Sequence, residues 1–284
     1  MLLKFCAILF LCGRLAAQTP PKLRILAIGA HPDDCDFKFG GTAARLARAG
    51  HAVKFLSVTN GDSGHQNDHG ASLAKRRYAE AQESARRLGI AEYEVLPNHD
   101  GELLPTLEVR RQIIRVIRRW NADIVIAPRP NDYHPDHRYT GTLVQDAAYM
   151  VVVPNVTPEV PALRRNPIFL YFEDGFQRPN PFRPDVVVAI DDVWDTKIAG
   201  MDAHTSQVYE WLPWVDGRLE EVPADAAQRT AWLSKTRTPV LSDAVREALA
   251  RRYGSQTVQH AEAFELCEYG RRPPIAELQE MFPK

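Results

Sequence analysis

The chain has 284 residues, 45% of them hydrophobic and 25% charged, with a formal net charge of −1. That composition is ordinary for a globular protein and excludes a low-complexity or disordered chain. The balanced charge leaves no basic field for nucleic acid, so no nucleic-acid partner is expected.

Met1 to Lys4 form a short positive start, Phe5 to Cys12 an apolar run, and Leu15-Ala16-Ala17 a stretch of small residues before Gln18. This pattern reads as a signal peptide over residues 1–17. The chain is therefore expected to be exported, to the periplasm or outside the cell. The apolar run is too short to span a bilayer comfortably, so no stable membrane insertion is expected after cleavage. Residues 18–284 read as one domain, with a homo-oligomer allowed. Cys6 and Cys12 leave with the leader. Cys35 and Cys267 are too few and too far apart for a disulfide framework and read as thiols, Cys35 as a small buried filler.

The mature chain alternates strands and helices. Strands are expected at 23–29, 53–59, 93–96, 123–127, 168–172 and 186–190. Helices are expected at 40–49, 72–88, 107–120, about 138–151 and 194–209. Short apolar strands separated by helices argue for βαβ units and a parallel sheet covered on both faces. Prolines crowd residues 154–184, which suggests a surface excursion, a lid or a rim. The tail from Leu212 is polar and partly helical and should pack back on the sheet.

Two His–Asp clusters stand out. Ala30-His31-Pro32-Asp33-Asp34 follows the first strand, and His134-Pro135-Asp136-His137 comes shortly after the fourth. In a doubly wound sheet of order 3-2-1-4-5, strands 1 and 4 are neighbours where the order reverses, and ligands bind there beyond the carboxyl ends. A catalytic zinc takes three protein ligands and keeps a position for water. His31, Asp34 and His137 supply two imidazoles and a carboxylate. Asp33 is then free, because adjacent side chains point apart, and suits a general base. His134 shares a helix face with His137 and suits an oxyanion stabiliser or proton donor. Asp136 suits a partner for a histidine ring.

Other residues read more plainly. His65 and His69 lie in the loop after the second strand as solvated histidines, His65 being the better candidate to reach substrate. His51 and His99 read as structural. Tyr209, Trp211 and Trp214 read as core aromatics rather than a sugar platform. The arginines at 110, 111, 115, 118 and 119 read mostly as a solvated face. Gly40-Gly41 reads as close packing rather than a phosphate cradle.

The first cluster, with Asp36 and Gly40-Gly41-Thr42, resembles the signature of the PIG-L/LmbE-like zinc-dependent de-N-acetylases. Asp132-Tyr133-His134-Pro135-Asp136-His137 resembles that family's second motif. Weaker matches follow at Gly61 to Gly64, Arg77 to Glu80, Asp100-Gly101, Lys197, His204 to Gln207 and Ala261 to Phe264. The resemblance implies a Rossmann-like three-layer αβα sandwich with a mostly parallel sheet. It also implies hydrolysis of an N-acetyl group on an N-acetylglucosamine-type sugar or glycoconjugate, with zinc or iron as the metal. It carries the same roles to the five cluster residues and makes Arg77 and Asp100 sugar contacts. Two other readings compete. A nucleotide-cofactor enzyme on a Rossmann-like sheet lacks the G-x-G-x-x-G pattern. A non-catalytic sugar-binding protein has no use for a base and an oxyanion stabiliser.

Overall fold

The computed structural model describes residues 22–284, so the leader read at 1–17 lies outside the described residues. Seven strands form one sheet: β1 (Arg24–Gly29), β2 (Ala52–Thr59), β3 (Glu92–Asn98), β4 (Ile124–Ala127), β5 (Ile168–Phe172), β6 (Val186–Ala189) and β7 (Ala261–Leu266). The helices are α1 (Asp34–Arg48), α2 (Gly70–Leu88), α3 (Leu107–Trp120), α4 (Pro135–Met150), α5 (Trp194–Asp202), α6 (Leu212–Val215), α7 (Ala226–Arg237), α8 (Asp243–Tyr253) and α9 (Ile275–Glu280). No helix among the described residues is long and apolar enough to cross a membrane.

The strand order is 3-2-1-4-5-7-6. β1 to β5 pair in parallel, and β7 runs antiparallel between β5 and β6. The apolar strands serve two cores. Ile25 and Ala27 of β1 face one cluster with Phe39, Phe55, Ala81 and Ile198, while Leu26 and Ile28 face another with Ile113, Ile117, Leu143 and Ala147. Helices α1, α2 and α5 thus cover one face, and α3 and α4 the other. This is the expected αβα sandwich, and β1 and β4 meet at the reversal as expected.

The differences have physical causes. β7 has no strand expectation because Glu262 interrupts its alternation. On the face shared with Phe264 and Leu266, that carboxylate is nonetheless buried. It accepts the N–H of Gly41 (2.9 Å) and Thr42 (2.7 Å) and pairs with Lys197 Nζ at 2.7 Å. Lys197 also donates to the carbonyl of Phe37 (2.7 Å), the acceptor Gly41 would use in an uninterrupted helix. Helix α1 begins at Asp34 and runs through Gly40-Gly41, where the sequence pattern places its start. A Cβ on Gly41 would stand 2.7 Å from Ile190 Cδ1, which explains glycine there as close packing.

Helix α4 begins at Pro135, with the His134 side chain capping it, rather than near Arg138. The helix expected over 194–209 stops at Asp202, and a single wide turn follows at Gln207–Trp211. Arg118 is buried, not solvated, and donates to the carbonyls of Met150, Val151, Val153, Val156, Thr157 and Val160. Trp211 and Trp214 stack at 5.4 Å with Trp214 half exposed, so they form a surface pair rather than core. The proline-rich stretch is two loops flanking β5. Arg118 pins the first at the amino end of the sheet. Arg129 pins the second, at the carboxyl end, through Asp174 and the carbonyls of Phe176 and Asn180.

Candidate metal centre

Parallel register between β1 and β4 (Ile25 with Ile124, Ala27 with Ile126) ends both strands at the same edge. The turn after β1 is tied down at Ala30, whose carbonyl accepts from Thr59 N (2.8 Å), Thr59 Oγ1 (2.8 Å) and Ser57 Oγ (3.1 Å). Asp34 Oδ2 accepts the N–H of Ala30 (2.8 Å) and His31 (2.9 Å), which fixes the carboxylate at the start of α1. Gly29 leaves it room, since a Cβ there would lie 2.6 Å from Asp34 Cβ.

Three donor atoms converge. His31 Nδ1 lies 3.2 Å from His137 Nε2, Asp34 Oδ1 3.4 Å from His137 Nε2, and Asp34 Oδ2 3.7 Å from His31 Nδ1. Carboxylates on the far sides of the rings assign the tautomers. His31 Nε2 faces Asp100 Oδ1 at 3.1 Å and Asp136 Oδ2 at 3.3 Å, and His137 Nδ1 faces Asp132 Oδ1 at 2.9 Å. Each neutral ring donates its one proton outward and turns a lone pair inward. Two imidazoles and a carboxylate crowded together fit a divalent cation, which takes the place of the protons the rings would otherwise hold.

Two other groupings also bring ligand atoms within 4.8 Å: His31 with His134 and His137, and His31 with Asp100 and Asp136. The hydrogen bonds rank them below the first set. His134 Nδ1 accepts the N–H of Asp136 at 3.2 Å, so its neutral ring carries the proton on Nε2 and offers a donor, not a ligand. Asp100 and Asp136 sit on the protonated side of His31. Asp136 also accepts the N–H of Gly101 at 2.7 Å.

Electrostatics agree. Burial opposes charge on His31, but its bonds to Asp100 and Asp136 and the Asp34 charge lift the ring to about 9. Burial would raise Asp34, yet His137 and His31 hold it well below the usual carboxylate range. A field that favours protons on these rings favours a cation between them. Burial, with Asp34 beside it, pushes Asp33 upward against the pull of Arg77. Burial, with its two histidine neighbours, keeps His134 below its ordinary value and so neutral near pH 7.

Arg77 reaches Asp33 with Nη2 (3.3 Å) and Asp100 with Nη1 (3.4 Å), and only 2% of it is exposed. The expected sugar contacts are thus a nearly buried floor next to Asp33. His65 has both ring nitrogens engaged. Nε2 meets Glu210 at 2.8 Å, and Nδ1 accepts from the backbone of Asn67 and Asp68. Its ring is built as a clamp between the loop after β2 and the wide turn, rather than as a substrate contact. Asp132 received no role from spacing alone. Its signal is a carboxylate five residues before a metal-type histidine.

The sequence profile of the PIG-L family, described as GlcNAc-PI de-N-acetylase, matches residues 26–148, which hold both clusters. A diacetylchitobiose deacetylase of Thermococcus kodakarensis is 34% identical over 198 residues, 67% of this chain and 73% of that protein. The chain belongs to the PIG-L (LmbE-like) family. It is also 23% identical to a 4-oxalmesaconate hydratase of Pseudomonas putida, over 84% of this chain and 95% of that one. The solved N,N'-diacetylchitobiose deacetylase of Pyrococcus horikoshii superposes with a TM-score of 0.65 at 26% identity, covering 86% of this chain and 84% of the other. The seven-stranded, mostly parallel sheet is the fold of that PIG-L deacetylase.

Proposed function

We propose that this PIG-L protein is a divalent-metal hydrolase that removes an N-acetyl group from an N-acetylglucosamine-type sugar or conjugate. One observation carries the reading: lone pairs of His31, Asp34 and His137 converge where Asp33 stands beside them without a share in the ligand set. The 34% identical chitobiose deacetylase supports the acetylated amino sugar as substrate class. A divalent cation at the three ligands, zinc in our reading or else iron, supplies Lewis acidity that lowers the pKa of water and polarises a carbonyl.

The side chains divide the remaining work. Asp33 takes the proton of the attacking water, held in place by Arg77. The His134 Nε2–H donates to the acetyl oxygen as negative charge develops on it. Asp33, now protonated, returns the proton to the departing amine. Asp136 and Asp132 hold the rings of His31 and His137, and Asp100 with Arg77 forms the floor under the sugar. A nucleotide-cofactor reading needs free backbone N–H groups after β1 for a phosphate, but Asp34 occupies those of Ala30 and His31.

Asp33→Asn tests the assignment. It should bind metal like the wild type and melt at a similar temperature, while acetate release falls about 10²–10⁴-fold. A variant that holds metal and keeps wild-type turnover would sink the role given to Asp33. We further propose that the mature chain works outside the cytoplasm on glycans or glycan fragments. Its recovery from the cytosol with Met1 intact would contradict that.

A further inference from the structure

We infer that the cleft beside the metal centre is a second substrate subsite in which Arg237 binds an anionic substituent of the acetylated sugar. This deepens the de-N-acetylase reading and rests on it. The cleft, about 550 Å³, is lined by Phe37, Lys38, Glu173, Phe182, Arg237 and Val240, among others. It adjoins the metal centre. A smaller cavity bounded by Asp34 and His137 shares Lys38, Glu173 and Asp174 with it. Phe37 and Lys38 lie in the first turns of α1, just beyond Asp33 and Asp34.

The other cations around this space each have an acceptor in the protein. Lys197 is neutralised by Glu262 at 2.7 Å, and Arg129 pairs with Asp174. Lys38 donates to the Glu173 carbonyl at 3.0 Å. Arg237 differs. Its Nε is buried without a hydrogen-bond partner. The charges of Asp216, Asp33 and Arg218 act on it only through space. Its guanidinium lies 5.5 Å over the Phe37 ring, which fixes its plane at the cleft. A position in the last turn of α7 accounts for a positive residue there. It does not account for a half-buried guanidinium whose Nε lies buried without an acceptor, an arrangement that a ligand oxygen would satisfy.

A planar guanidinium selects acceptors that present two oxygens, a carboxylate or a phosphate. Phe182, Val240 and Leu241 give the cleft apolar walls that a bare anion-binding patch would not have. The ligand is therefore an N-acetylated amino sugar bearing a carboxylate or phosphate, with its acetyl group at the metal centre and its anion at Arg237.

The test compares zinc-loaded wild type, Arg237→Lys and Arg237→Gln. Acetate release is measured from N-acetylglucosamine 6-phosphate, N-acetylmuramic acid and N-acetylglucosamine. Wild type should prefer at least one anionic sugar by about tenfold or more in kcat/KM, and the two anionic arms tell phosphate from carboxylate. Arg237→Gln should bring the ratio of charged to neutral substrate toward one, chiefly through KM, and Arg237→Lys should keep part of it. Calorimetry with glucosamine 6-phosphate, muramic acid and glucosamine reads the same contrast without turnover. It decides the subsite even if no substrate is hydrolysed, an outcome that would fall on the de-N-acetylase reading instead. Equal affinity for charged and neutral sugars, or an Arg237→Gln protein weakened alike on all, overturns the proposal.

Discussion

His31 and His137 each spend one ring nitrogen on a carboxylate and turn the other toward the centre, so the orientation of both rings is set by residues outside the proposed ligand set. Removing the outer partner should loosen the inner ligand. Asp132→Ala is expected to weaken zinc affinity about 10–100-fold, measured against a competing chelator, with little change in melting temperature of the fully loaded protein. An unchanged affinity would mean that the 2.9 Å contact to His137 does not orient the ring. Spacing suggests a division between three proposed ligands and Asp33, because neighbours in a turn point apart. It does not reveal Asp132, nor that Asp136 serves His31 of the other cluster. Those contacts depend on ring rotation and on chain segments that meet only in the fold.

Most elements were legible in the pattern of apolar residues, and α3 was read to the residue. The misses fall where a charge is buried or a helix is interrupted. Glu262 and Lys197 hide β7 from a hydropathy reading and make Gly40-Gly41 look like a helix start. They stabilise the first turns of α1, which carry Asp33 and Asp34. Glu262→Ala leaves the Lys197 ammonium and two helix N–H groups buried without partners, and should cost about 3–5 kcal/mol in urea unfolding. A loss below about 1 kcal/mol would show that water replaces the carboxylate.

The clamp on the loop after β2 is weaker and pH-dependent. The Arg76 hydrogen bond, with His65 adding to it, lowers the Glu210 pKa. Because the folded value lies below the unfolded one, the stabilisation is present above the unfolded pKa and lost as pH falls through the folded one. Wild type should therefore melt above Glu210→Gln at pH 7, and the gap should close below about pH 4.5. A gap that persists at pH 3 would assign the stability to packing instead.

At the scale of the whole molecule, the halves of the chain contribute different things. The five parallel strands bring His31 and His137 to one crevice, and this was readable because strand order and motif position point the same way. The residues after β6 add Lys197, Arg237 and Glu262 to the walls. Their placement was not readable, since the antiparallel insertion of β7 and the break after α5 follow from tertiary contacts. One relative similar to this chain is named a hydratase, not a deacetylase, so the chemistry is best measured directly. Acetate release from N,N'-diacetylchitobiose should be abolished when a chelator strips the purified protein. It should return as zinc is added back, saturating near one equivalent per chain. Acetate release that survives complete metal removal, or a zinc-loaded protein that frees no acetate from any acetylated amino sugar, would contradict the account.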